Sequence, residues 1–178
     1  DHRGVLGDLM DAGWYARIVG DASLAYEQED VNSFLREVIY LRKMSDDTPP
    51  DSFVFFDDVV ASDAYPVDWH LHTYGEMELD GNRCTIKQDD AAVDVTVLSP
   101  TDVQAAIHHK TLDESGGPSP FDGAERVTYL KLRPDKAESR TRFLTVLTPR
   151  ATGARSVPEV AAVSDGSILG ACLTSGNP

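Results

Sequence analysis

Hydrophobic and polar positions alternate along most of this chain with a period of two. In 91–98, Val93, Val95 and Val97 fall on one side and Asp94 and Thr96 on the other. That pattern predicts a half-buried strand of an antiparallel sheet. In 65–73, Val67, Trp69, Leu71 and Thr73 point one way, and Asp68, His70, His72 and then Tyr74 point the other. Asp80-Gly81, between 77–79 and 83–86, predicts a tight hairpin, because glycine supplies the positive φ such turns need. The run 33–44 admits a helical face of Phe34, Leu35, Val38, Leu41 and Arg42, but its β-branched and aromatic content favours a strand. With the turn at 45–51 and the strand 52–60 it makes a hairpin. Strands are also expected at 14–19, ending in a turn at Gly20-Asp21, at 24–26, at 127–133 and at 142–148. A last hairpin spans 160–163 and 168–173. The run 101–110 stays open: Thr101 could cap a short helix, yet Val103, Ala105 and Ile107 alternate. Glycine and proline mark 111–123 as a loop, 152–158 reads as another, and 27–30 is an acidic one.

The sum is about ten short strands at roughly 8–12-residue spacing, with no helix–strand alternation and no internal repeat. The expected fold is all-β, an antiparallel two-sheet β-sandwich of the supersandwich kind with little helix. Residues 1–19 read as a lead-in segment or edge strand, and 20–178 as the sandwich domain. The chain has 178 residues, 41% hydrophobic and 26% charged, an ordinary globular composition. Its net charge of -14 offers no basic footprint for nucleic acid. No stretch is apolar enough for a membrane-spanning helix. The chain begins at Asp1 rather than Met, as expected of a processed or cut-down piece of something longer. Two cysteines, Cys84 and Cys172, do not make a disulfide framework; one bridge is open to them, and two free buried thiols are the plainer reading.

The sharpest chemical pair is His70 and His72, two apart on one strand face. Asp68 shares that face and would complete a three-ligand metal set. The plainer reading is a solvated polar sheet face. His108 and His109 are adjacent and point to opposite faces. Asp46-Asp47, Asp57-Asp58 and Asp89-Asp90 read as solvated turn residues rather than acid–base pairs. Trp14, Trp69 and Tyr74 could stack on sugars, with core packing as the default. Gly116-Gly117-Pro118 has no helix after it and is no phosphate cradle.

Several segments, in order, resemble the C-terminal sheet region of the heparinase II/III family of polysaccharide lyases. They are Gly20-Asp21-Ala22-Ser23-Leu24-Ala25-Tyr26; the run 36–41 followed by 53–59 with Asp57-Asp58-Val59; Trp69-His70-Leu71-His72-Thr73; Asp80-Gly81-Asn82; Gly116-Gly117-Pro118; and the run 143–149. Together they span about residues 20–150. The resemblance implies a two-part enzyme, an N-terminal (α/α) toroid packed on a β-sandwich, that cleaves uronic-acid-containing polysaccharide by β-elimination. Such chemistry neutralises the substrate carboxylate, removes the C5 proton and protonates the leaving O4, with Tyr and His as base and acid. The resemblance puts the catalytic Tyr and its Asn or His partner in the toroid. It puts the catalytic histidine and metal ligands of the sheet in a segment before Asp1. No catalytic residue is therefore carried onto this chain, no binding residue is assigned, and no cofactor is expected in it. His72 matches a strand histidine read as structural. The partners implied are the toroid and, through it, an acidic polysaccharide; the location implied is extracellular or periplasmic. Arg140 and Arg142 are candidates to face an anionic substrate. Two other readings stay open: a non-catalytic carbohydrate-binding or adhesion sandwich, favoured by an exposed Trp14 or Trp69, and part of a uronyl epimerase.

Overall fold

In a computed structural model of the chain, the residues described are 3–27, 30–110, 127–154, 158–165 and 169–175. Among them the chain is an all-β sandwich. Its strands in chain order are β1 (Val5–Leu6), β2 (Met10–Asp11), β3 (Tyr15–Asp21), β4 (Val31–Leu41), β5 (Ser52–Tyr65), β6 (Trp69–Thr73), β7 (Glu76–Asp80), β8 (Arg83–Gln88), β9 (Ala91–Ser99), β10 (Val103–Lys110), β11 (Val127–Pro134), β12 (Glu138–Ala151), β13 (Glu159–Ser164) and β14 (Leu169–Thr174). The large sheet runs β1-β3-β4-β5-β12-β9-β8-β7, with β2 also paired to β3. A three-stranded sheet, β10-β11-β6, lies on one face of it, and the β13-β14 hairpin covers part of the other.

The central strand β12 explains the arrangement. Phe143, Leu144, Thr145 and Val146 are each at most 1% exposed, so both faces of this strand are covered. A strand buried on both sides loses alternation and reads as a continuous apolar run. Phe143 joins Trp69, Cys84, Val95, Val97, Leu130 and Leu132 in the core between the sheets. Leu144 and Val146 join Val54 and Leu98 on the opposite face, beneath Val160, Leu169, Ala171 and Leu173 of the hairpin. Burying each such side chain contributes about 1.5–3 kcal/mol.

The structure alters several sequence expectations. Residues 24–26 are not a strand: Ser23–Ala25 is a 3-10 turn. Asp21 accepts from both the amide and the hydroxyl of Ser23, and that hydroxyl accepts from the amide of Phe34. These local bonds satisfy the chain without a ladder. Gly20 and Asp21 are not a turn but the paired end of β3, opposite Arg36 and Leu35. The β7–β8 loop is Gly81-Asn82, one residue later than expected; Gly81 has φ +58 at the first loop position, and Asn82 bonds the backbone of Val97. The open run 101–110 is β10, decided by its pairing with β11. The lead-in is hydrogen-bonded into the large sheet through β1 and β2. The Gly116-Gly117-Pro118 loop reading lies outside the described residues.

Candidate functional site

A cleft of about 630 Å³ opens between β4–β5 of the large sheet and the segment leading into β6. Its floor is built by strand register. Arg36 on β4 lies directly opposite Asp57 on β5, and Trp69 reaches in from β6. The guanidinium grips the carboxylate with two bonds, Nε to Oδ1 at 2.6 Å and Nη2 to Oδ2 at 2.7 Å. The indole Nε1 of Trp69 donates to the same Oδ2 at 2.9 Å. Asp57 is only 2% exposed, so it is no solvated turn residue, contrary to the expectation for Asp57-Asp58. It is a buried charge with the partners such a charge requires. Arg36 also sits over the rings of Phe34 and Phe55, at 5.8 and 5.9 Å. The Asp57 bond foremost holds its proton above the usual arginine range, with burial opposing. Chemically, Asp57 is committed to three donors and is a poor free base. A guanidinium has five N–H groups, and the bonds to Asp57 use two. The rest leave Arg36 as a fixed cationic edge in the cleft.

The rim contains the three residues singled out as a metal set. Asp68 is not available to one. It takes a two-point grip from Arg133 at 2.6 Å and an ion pair from Lys131 at 2.9 Å. The Arg133 bonds foremost push its carboxyl down to about 2, against the opposing effect of burial and with Lys131 adding to the lowering. His70 and His72 do share a face, their ring centroids 5.9 Å apart. They pack around Tyr129 of β11 instead of converging on Asp68. Partial burial foremost lowers the pKa of His70; Asp68 opposes it, and His72, Lys131 and His108 add to it. Among the described residues, no group of three or more His, Cys, Asp or Glu side chains is arranged to hold a metal ion.

The other candidates are scattered. His108 stacks on Tyr129, whereas His109 turns the other way to the hydroxyl of Thr128. Arg140 and Arg142 line a smaller cleft of about 430 Å³ beside Ser99 and Pro100, away from Trp69. Asp58 holds them, through two bonds from Arg140 and an ion pair with Arg142 at 3.5 Å. The Arg140 bonds foremost keep its carboxyl below the usual range. Both cysteines are free thiols, as expected, but only Cys84 is buried; Cys172, expected to be buried, is exposed on the edge hairpin strand β14, and burial pushes Cys84 up to about 11. Trp69 is core, as expected, but Trp14 is 58% exposed. The Arg36–Asp57–Trp69 trio went unseen in the sequence. Arg36, Asp57 and Trp69 stood in separate segments of the family resemblance, and only the strand register joins them.

No family profile matches the chain, and no curated protein matches it in sequence. The solved structures it resembles include a heparan sulfate lyase and heparinase III. The heparan sulfate lyase HepC from Pedobacter heparinus superposes with a TM-score of 0.69 at 11% identity, over 97% of this chain and 26% of that one. Heparinase III, the BT4657 gene product, gives 0.65 at 15% identity over 92% and 24%. A further heparinase III structure gives 0.62 at 13% identity over 97% and 27%. This chain has the fold of one region of these proteins and spans about a quarter of their length.

Proposed function

We propose that this chain is the β-sandwich region of a longer polysaccharide lyase of the heparinase II/III kind, which cleaves uronic-acid-containing polysaccharide by β-elimination. The observation that carries the reading is the shared fold over 97% of this chain, set within 26% of the heparan sulfate lyase HepC. The ordered segments described above support it independently. In this reading an N-terminal (α/α) toroid supplies the catalytic Tyr and its partner, and the sandwich braces the toroid and walls the substrate cleft. The chain itself is not catalytic, and its longer form works outside the cell or in the periplasm. An exposed apolar row of Val5, Leu6, Leu9, Met10 and Trp14 along β1–β3 supports a covering neighbour at that edge.

The test is ultraviolet absorbance from unsaturated uronide products. The longer protein is offered heparan sulfate, chondroitin sulfate, hyaluronan and alginate. Signal with at least one polymer is expected, and that polymer names the substrate. Silence with all four, with products still epimerised at C5, would replace the lyase by an epimerase. The exposure of Trp14 favours a second reading, a non-catalytic carbohydrate-binding sandwich. Sugar binding lost in Trp14→Ala, without turnover by the longer protein, would support that instead.

A further inference from the structure

The outer face of the β10-β11-β6 sheet carries groups that the cleft does not use. Register places His108, Tyr129 and His72 side by side across its three strands. Tyr129 stacks between the two imidazoles, 5.2 Å from each centroid, at 18° to His108 and 26° to His72. His70 closes on Tyr129 edge-on at 5.4 Å. Adjacent strands lie about 4.8 Å apart, so the row of rings extends about 10 Å across the sheet. The three histidines are exposed, and Tyr129 is half-buried among them.

The charges on this face run against those of the chain. With a net charge of -14 overall, the face carries Lys131 and Arg133 from β11 and Lys110 from β10. Among the described residues its carboxylates are Asp68, taken up by Lys131 and Arg133, and Asp135, taken up by Gln104. Imidazole is in general the side chain whose charge changes between about pH 5 and 8, so acid favours an anion on a histidine-bearing face of this kind. Partial burial foremost opposes the proton on His70; Asp68 favours it, and repulsion from His72, Lys131 and His108 adds to the opposition. An anion laid on the face relieves that repulsion, so binding and proton uptake reinforce each other.

We propose that this face binds an anionic oligosaccharide, its sugar rings on the His72–Tyr129–His108 row and its carboxylate or sulfate groups against Lys131, Arg133 and the histidines, more tightly as pH falls. The ligand class rests on the lyase reading; the site adjoins the cleft floored by Asp57, sharing Asp68, His70 and Arg133 with its lining, while His72, Tyr129, His108 and Lys131 lie outside that lining. Stacking covers the faces of Tyr129, so a saccharide would meet the outer faces of His72 and His108 and the ring edges between them, flanked by cationic donors for its charged groups. A metal ion suits the face less well, because Asp68 is already committed.

The test titrates the purified 178-residue chain calorimetrically with size-defined heparin fragments, with hyaluronan as a sulfate-free anion and dextran as a neutral control. At about pH 5.5 heparin should bind about tenfold or more tighter than at about pH 7.5, with net proton uptake. The His70→Gln/His72→Gln/His108→Gln triple variant should lose that gain and keep its unfolding midpoint. Should the triple variant fail to fold, His108→Gln alone should lose about two- to threefold at the lower pH. Equal binding by variant and wild type at both pH values would overturn the proposal. So would equal binding to dextran, or a gain that appears with added zinc and vanishes with chelator. The two readings fail separately. Acid-strengthened binding by the chain with no turnover by the longer protein sinks the lyase and leaves this surface standing. Turnover with pH-independent binding does the reverse.

Discussion

The two faces of the β10-β11-β6 sheet are built from alternate residues of the same strands, yet they obey different physics. The inner residues Trp69, Leu130 and Leu132 are at most 6% exposed and pack on Phe143, Val95 and Val97. The outer residues His70, His72, Tyr129 and Lys131 stand one position away and meet solvent and one another. A side-chain period of two turns a single strand into a core element and a chemical surface at once. Substitutions on the inner face should therefore be read as stability, and those on the outer face as recognition.

The largest break in that contrast comes from Leu130→Ala. It should lower unfolding free energy by about 3–4 kcal/mol in a denaturant titration, because the site is fully enclosed. His72→Ala, on the exposed side and paired with Tyr129, the residue before Leu130, should stay within about 0.5 kcal/mol of wild type. A similar loss from both would erase the distinction. Next is Asp57→Ala. It strands the Arg36 charge and the Trp69 indole N–H, and should cost about 3 kcal/mol. Trp69→Phe, which removes one donor and keeps most of the packing, should cost about 1.5 kcal/mol.

Asp68 sharpens the comparison at the rim. Its folded-state pKa of about 2 lies below the unfolded value. A depressed carboxyl contributes stability that is present above the unfolded pKa, near 3.9, and is lost as pH falls through the folded one. Asp68→Asn should cost about 1 kcal/mol at neutral pH, after solvent screening of the half-exposed Arg133, and should flatten the fall in stability between about pH 4 and 2. A pH–stability curve for both proteins checks this. The smallest effect has the opposite sign. The Thr145 hydroxyl is fully buried with no hydrogen-bond partner among the described residues, so Thr145→Val should stabilise by up to about 1 kcal/mol.

Where a strand has one buried face, the sequence displays it. The alternation of 69–73 became β6, with Trp69 inside and His70 and His72 outside, whereas β9, expected to be half-buried, is covered on both faces from Val95 to Leu98 because the hairpin lies over its second face. Elsewhere the deciding bonds lie far away along the chain. The run 101–110 fits two templates, and only its ladder with β11 chooses between them. β12 begins at Glu138, four residues before the strand start expected at 142, because polar residues pair with the tail of β5 across a bulge. The site was legible only in fragments. Two-residue spacing shows that His70 and His72 share a face, but no spacing shows that His108 joins them across Tyr129. Nor does the sequence show that Asp68 turns from the histidines to Arg133, or that Asp57 is buried under Arg36 and Trp69. Each of these contacts depends on strand register, set by the whole sheet.

In the proposed function, this sandwich supports a lyase and does not perform the elimination. Product absorbance from the purified chain alone, beside that from the longer protein on the polymer it degrades, tests this most directly. The account predicts signal from the longer protein and none from the chain at any enzyme concentration. Turnover by the chain alone would contradict it and would place the catalytic groups among the residues described here.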